Sequence, residues 1–460
     1  MSNINSWITE HHRVLFLLTV VGHLGMYFLV GGEIKLVDDY HYIKSALDLI
    51  DNGHFLVRNT FAGRGVVLLL ALSFKLFGAN AFTATSPALL ANLSLLYISY
   101  RAIPNKVMAV ITSLFMSGSF YFAFHSLYFF PDIFSTFLQL TSLALLAGYK
   151  AHRQIKWFLL AILAIALAVF MKLSALYFIP VFVVILFVVK PPKDHLVSGT
   201  LVGLLTVAGM AWYYQHFFDD IWFRLNIIEK EHNLSPFSFS ASGSSDLLKR
   251  LLTGPVPFFR QFPVIGLLFF VALLVSAKQV FSRKRDLWTL SFLGLGLLHW
   301  FGSTSLAYYS PLPVFHRMWL VVMALAVIVI ARATAADTRR SPLLIALVLL
   351  PIGIGLSWRA WNNEPNLYDK FSTLHEVAPA KGNIYVKHPL YRVEALYARI
   401  EGKSSLGLKK LDEPDGIDGF LFHEKSTSHE GYLKKLEAIK SRSSIYYEDA
   451  YMIIYKIEGN

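Results

Sequence analysis

The sequence predicts a polytopic α-helical membrane protein with eleven transmembrane helices and a small C-terminal α/β domain. Three observations carry this. Of 460 residues, 55% are hydrophobic and only 16% charged, and the mean hydropathy is +0.50, too apolar for a soluble globular chain. Apolar runs of 14 to 20 residues recur along the first three quarters. The last 102 residues, Arg359 to Asn460, hold 30 of the 72 charged residues, so the composition changes near Trp358. A cytosolic enzyme, a secreted domain and a disordered chain are excluded together. With no Cys, disulfides, zinc-thiolate sites, iron–sulfur clusters and Cys nucleophiles are excluded too.

The spans read as 14–30, 85–100, 107–124, 132–149, 157–171, 173–189, 196–214, 262–277, 287–303, 318–331 and 342–358. The charge excess of +12 lies in residues 1–358, because the C-terminal stretch balances 15 basic against 15 acidic residues. Such an excess records orientation in a bilayer and does not imply nucleic acid as a partner. With the N-terminus cytoplasmic, the inner segments contain 15 of the 27 basic residues and only Glu10, Asp194, Asp286 and Asp337 against them. The C-terminal domain, 359–460, is then periplasmic, and the chain belongs in a bacterial inner membrane. Val66 to Ala79 is apolar but short and carries Lys75, which suits an interfacial helix on the outer surface. The first span continues into Gly31-Gly32-Glu33 with no small-residue cleavage site, as an uncleaved anchor does.

Two long outer segments, 31–84 and 215–261, interrupt the helices of the 1–358 domain. In the first, Asp38-Asp39-Tyr40-His41-Tyr42 precedes Ile43, Ala46, Leu47 and Ile50 at helical spacing, with a stop at Asp51-Asn52-Gly53. That pattern predicts an amphipathic helix lying along the bilayer from about Asp38. Adjacent carboxylates near a membrane repel each other, which poises one of them as a general base; the alternative is that Asp38 caps the helix. Asp132 follows Pro131 where the short outer loop His125 to Phe130 enters the fourth span, and Pro-Asp is also ordinary helix-start chemistry. Lys172 separates two apolar runs of 15 and 17 residues, either at the tip of a hairpin or inside one kinked helix. Both placements ask for an anionic partner, unless the side chain snorkels to the interface. Arg64, Arg260, His316 and Arg317 add positive charge on the same side, which suits a lipid phosphate. Tyr40, His41, His125, Tyr308 and Tyr309 are the candidate substrate-binding residues of that face.

The series Asp38-Asp39-Tyr40, Ala46, Asn52-Gly53-His54-Phe55, Phe61-Ala62-Gly63-Arg64-Gly65 and Leu76-Phe77-Gly78-Ala79 resembles the first outer loop of GT-C membrane glycosyltransferases. The likeness is to the protein O-mannosyltransferases and the bacterial aminoarabinose transferases, which use polyprenyl-linked sugars. Pro131-Asp132 and Met171-Lys172-Leu173 resemble family positions as well, so the likeness covers about residues 30 to 190. It implies a GT-C-like fold, Asp38 as the catalytic base, and Lys172 and Arg64 at the lipid phosphate. Where relatives have two prolines after the basic residue, this chain has Gly65 and Val66, and where they have Glu, it has Asp39.

The implied reaction is inverting transfer of a sugar from polyprenyl phosphate to a cell-envelope glycan, lipid or protein. The phosphate leaves as an anion that needs neutralising cations and no general acid, so one carboxylate base suffices. Asp39 and Asp132 would orient the acceptor or stabilise positive charge, while Arg64, Lys172, Arg260, His316 and Arg317 would hold the donor phosphate. The relatives that the chain resembles work without a metal, while Asp38, Asp39, His41 and Asp132 are donors of a kind that Mg or Mn accepts, so a divalent cation stays open. Asp412-Glu413-Pro414-Asp415-Gly416-Ile417-Asp418 reads as a solvated turn. The rivals are a flippase or transporter of polyprenyl-linked glycans and a polysaccharide polymerase or ligase. A transporter would carry charge near the midplane and repeated halves, and this chain shows charge at one face and no repeat.

Overall fold

An apolar chain in hydrocarbon must satisfy its backbone N–H and C=O groups within each segment, and this one does so with helices. The structure, a computed structural model, describes residues 2–30, 37–56, 59, 61–127, 129–230, 256, 263–282, 286–303, 316–335, 367–379, 382–386, 390–401, 403–411, 419–424, 430–441, 443–448 and 452–457. In chain order these give α1 (Ser2–Val30), α2 (Val37–Asn52), α3 (Gly65–Phe77), α4 (Ala81–Ala102), α5 (Lys106–Gly118), α6 (Phe120–Leu127) and α7 (Pro131–His152). There follow α8 (Ile155–Met171), α9 (Phe178–Val189), α10 (Lys193–Phe218), α11 (Phe223–Ile228), α12 (Pro263–Phe281), α13 (Leu287–Phe301) and α14 (Leu320–Ala335).

Among the described residues, Asn5–Leu29, Ala81–Ala102, Lys193–Phe218 and Arg317–Thr334 are long and apolar enough to cross a membrane. Shorter apolar helices accompany them. α14 is buried along almost its whole length, from Leu320 to Val329, as an all-round apolar helix must be. α1 and α10 instead turn Leu17, Leu18, Phe28, Leu201, Leu204 and Leu205 outward, a face that fits lipid. The predicted span 342–358, the domain boundary at 358 and Gly31 to Glu33 lie outside the described residues.

Several expectations are corrected. The first helix begins at Ser2, well before position 14. The single span expected over 107–124 is two helices: Ser119 is extended, and its carbonyl accepts from Phe122 and Ala123 to start α6. Ser117-Gly118-Ser119 is poor helix sequence, which explains the break. Because α6 runs to Leu127, His125 is helical and not part of a loop. The outer segment begins later than 215, since α10 runs to Phe218 and α11 follows after one turn. The sixth span opens with a 3-10 turn, Leu173–Tyr177, ahead of α9.

The C-terminal part carries α15 (Leu367–Val377), β1 (Ile384–Val386), α16 (Leu390–Ile400), β2 (Lys409–Lys410), β3 (Gly419–Glu424), α17 (Glu430–Lys440), β4 (Ser443–Glu448) and β5 (Met452–Ile457). They form one mixed sheet in the order β2-β1-β3-β5-β4, parallel at β1 and antiparallel around β5. Arg399 on α16 makes a forked contact with Asp51 at the end of α2, at 3.0 and 2.8 Å, so this part meets the first outer helix. The Asp412–Asp418 turn lies outside the described residues.

Candidate active site

Lys172 decides the geometry of the site. It caps α8 in an extended conformation (φ −152°, ψ 125°), where the helix gives way to the 3-10 turn. Arg153, beside the start of α8, donates to the carbonyls of Val189 and Lys190 at the end of α9, at 2.8 and 3.2 Å. α8 and α9 are therefore a hairpin and Lys172 sits at its turn. Lys172 is only 9% exposed, so its side chain does not snorkel. Its Nζ donates to Asp132 Oδ1 and to the sulfur of Met318, the latter at 2.8 Å.

Asp132 stands in the first turn of α7, directly after Pro131. It is 5% exposed, and its carboxylate serves the ion pair with Lys172 and not a helix cap. Arg317, in the 3-10 turn His316–Trp319 before α14, holds its guanidinium 4.9 Å from the centre of the Phe130 ring. From there its charge, with the ring of His125, acts on Asp132. His125 is fully buried between the Tyr121 and Phe130 rings.

The motif Phe61 to Gly65 reaches the same end of the bundle. Asn59 Oδ1 accepts from the backbone N–H groups of Phe61 and Ala62, folding the loop into a tight turn. Gly63 has φ +70°, and a Cβ there would meet the Phe218 ring at 2.7 Å. A Cβ on Gly65 would meet Phe170 at 2.6 Å and the Met171 sulfur at 3.1 Å. Gly63 thus lets the loop close against Phe218 at the end of α10, and Gly65 against the end of α8, beside Lys172. Arg64 between them donates from Nη1 to the Tyr42 hydroxyl at 2.9 Å, and its charge acts on Lys172.

α2 begins at Val37, which puts Asp38 and Asp39 in its first turn and not at a cap. The side chain of Asp38 lies outside the described residues. Asp39 is 1% exposed, one turn before Tyr42 and so on the same side of the helix. Tyr42 meets the Phe129 ring at 6.1 Å, which ties that side to the loop entering α7. Tyr40 is buried, and His41 stacks on Phe61 at 4.5 Å. Ile43, Ala46 and Leu47 are buried as expected, but Ile50 is exposed, and Asp39, Tyr40, Tyr42 and Ser45 are buried too. More than half of the helix circumference is therefore enclosed by the protein.

One end of the bundle thus gathers Asp132, Lys172, Arg317, His125, Arg64 and the α2 face bearing Asp39. Arg260, Tyr308 and Tyr309 lie outside the described residues, as does the side chain of His316. Sequence reasoning missed Met318, Tyr121 and Arg224. Arg224, on α11, is 6% exposed, and both it and Arg64 act electrostatically on Tyr214. A lone Arg within Trp222-Phe223-Arg224-Leu225 was the available signal. Among the described residues no three His, Asp or Glu side chains come together as a metal-ligand set, and Asp38, the fourth candidate ligand beside Asp39, His41 and Asp132, has its side chain outside them.

Residues 65–213 match the family model described as dolichyl-phosphate-mannose-protein mannosyltransferase. No curated protein matches the sequence. The crystal structure of ArnT from Cupriavidus metallidurans in the apo state is similar, with TM-score 0.57 and 14% identity over 98% of each chain. The same protein bound to undecaprenyl phosphate gives 0.57 and 13% over the same shares. The Archaeoglobus fulgidus oligosaccharyltransferase in the apo form gives 0.54 and 12%, over 91% of this chain and 70% of that one. The chain therefore has the fold of the GT-C superfamily of membrane glycosyltransferases, the family its outer-loop motifs resemble.

Proposed function

We propose that the protein is an inverting glycosyltransferase that moves a sugar from undecaprenyl phosphate, or a similar polyprenyl phosphate, to a cell-envelope glycan, lipid or protein. The observation that carries the reading is the buried Lys172–Asp132 pair with Arg317 and Arg64 beside it, all at one end of the bundle. Cations held there suit a leaving phosphate whose charge must be met at the moment the anomeric bond breaks. Lys172, Arg64 and Arg317 would take that phosphate, with Lys172 shared between it and Asp132. Asp38 would remove the acceptor hydroxyl proton as the oxygen attacks the anomeric carbon from the far face, inverting it. Asp39, Tyr40, His41 and His125 would line the acceptor side.

The positive-inside pattern of the sequence supports placing this end at the periplasmic face of a bacterial inner membrane, with the N-terminus cytoplasmic and the C-terminal part periplasmic. Charges at helix ends favour interfacial chemistry over the midplane sites of a transporter. The test is purified protein with a radiolabelled polyprenyl-phosphate sugar and a panel of acceptors. Wild type transfers label, and folded Asp38→Asn loses about a hundredfold or more of the rate. Unchanged turnover in Asp38→Asn removes the base assignment.

A further inference from the structure

The opposite end of the bundle holds a second concentration of charge that the proposed reaction does not use. A cavity of about 700 Å³ opens there between α4, α7, α8, α13 and α14. Its lining includes Arg101, Lys150 and Arg332 against a single carboxylate, Asp286, together with Trp157 and Trp288. Asp132 and Lys150 are the two ends of α7, so the cavity lies about 27 Å along that helix from the site, close to one hydrocarbon thickness.

The cations have different duties. Arg332 makes a forked contact with Asp286, at 3.1 and 3.2 Å, and donates to the Ala102 carbonyl at the end of α4. It is neutralised and ties three helices into a fixed floor. Arg101 and Lys150 stand in the last turns of α4 and α7, and among the described residues neither has an ion-pair partner. Among the described residues, two cations without an ion-pair partner thus flank a pocket whose floor is already balanced. Of the two indoles, Trp288 is buried in the core and Trp157 is half-buried at the rim, so both give the cavity an aromatic wall. The remaining lining is mostly apolar, and Tyr97 at its edge is half exposed, which leaves a greasy path leading away from the charges.

We infer that this cavity is a binding site for the headgroup of an anionic phospholipid, its phosphodiester held between Arg101 and Lys150 and its acyl chains lying along the apolar wall. A free phosphate shares the charge chemistry but has no use for that wall. The volume fits a headgroup-sized ligand. The site does not depend on the chemistry at the far end or on which face is cytoplasmic.

The experiment is native mass spectrometry of the purified full chain, equilibrated in detergent with equal phosphatidylglycerol and phosphatidylcholine. Wild type retains phosphatidylglycerol preferentially. The double variant Arg101→Gln/Lys150→Gln loses about tenfold or more of that preference, since each cation near a lipid headgroup contributes of order a few-fold or more. The charge-keeping Arg101→Lys/Lys150→Arg retains it, and Lys75→Gln, on the exposed side of α3, leaves it unchanged. Melting of each variant in lipid-free detergent separates lost binding from lost fold. No preference in wild type, a preference that survives in the folded double variant, or equal displacement of both lipids by millimolar inorganic phosphate overturns the proposal.

Discussion

Lys172 and Asp132, 40 positions apart in sequence, form an ion pair that is almost completely enclosed, with the two side chains 10% and 5% exposed. Such a pair costs desolvation on both sides, so removing one partner strands a charge in a dry place. Lys172→Met and Asp132→Leu should each destabilise the protein by about 3–5 kcal/mol, and the double variant should recover most of that loss. Chemical unfolding in detergent checks it. If each single change costs less than about 1 kcal/mol, the surface rule applies and the pair is not dry. The double variant also isolates function, because a folded protein without Lys172 should bind a polyprenyl-phosphate donor poorly.

Gly53 and Gly63, two of the positive-φ glycines of the first outer segment, should respond differently to Ala. Gly53 has φ +69° with nothing near a new Cβ, so Gly53→Ala meets only backbone strain, about 1 kcal/mol. Gly63 has a similar φ, and its Cβ would strike the Phe218 ring, which is itself stacked on Phe223 at 3.9 Å. Gly63→Ala should therefore cost about 1–3 kcal/mol more than Gly53→Ala, from overpacking added to the same strain. Equal melting shifts for the two variants would show that the Phe218 ring gives way freely.

These residues also show what the sequence could and could not tell. The outer-loop motif was readable because Gly and Asn-Gly have few physical uses, and Gly53 does end α2, with its N–H on the Leu49 carbonyl. In the C-terminal sheet β5 follows a short apolar stretch, Met452-Ile453-Ile454-Tyr455, whereas β2, two lysines on an edge, carries no such pattern. The Lys172–Asp132 pair was half legible: an anionic partner was expected, but a contact between helices follows from packing and leaves no periodicity. The break at Ser119 was hidden because hydropathy averages across it. Arg224 was missed because one cation in an apolar run reads the same whether it faces water or the core.

Stability should depend on pH through Asp48. Burial in α2, the largest influence, pushes its carboxyl above the ordinary range, and neighbouring Asp51 adds to that while Lys44, Arg399 and His54 act the other way. A carboxyl whose folded pKa is raised binds its proton more tightly in the folded state. Its ionisation therefore costs stability at neutral pH, and the cost fades as pH falls through the folded value to the ordinary carboxylate range. Asp48→Asn should raise the melting temperature at pH 7, and the gain should shrink steadily on acidification toward pH ~4. A gain that is constant with pH would mean that the Asn side chain stabilises by packing and not by removing a charge.

Donor affinity should depend on the shape of the cation at position 317 as well as its charge. Arg317 lies over the Phe130 ring at 4.9 Å, and Phe130 immediately precedes Pro131 and Asp132, so the guanidinium is positioned by the same loop that positions the carboxylate. A planar guanidinium can stack on the ring and still present two N–H donors to a phosphate, whereas a Lys ammonium at that distance is a point charge on a flexible stem. Hydrogen bonds to charged groups contribute about 1.5–3 kcal/mol each. Arg317→Ala should then raise the apparent KM for a polyprenyl-phosphate sugar by about tenfold or more and lower kcat as well, because the charge that the guanidinium meets grows as the anomeric bond breaks. Arg317→Lys should recover only part of the loss, and Phe130→Leu should reproduce part of it with the arginine intact. Steady-state kinetics over a donor titration checks all three. An unchanged KM in Arg317→Ala would leave Arg317 as a charge that only balances Asp132, and donor binding would then rest on Lys172 and Arg64.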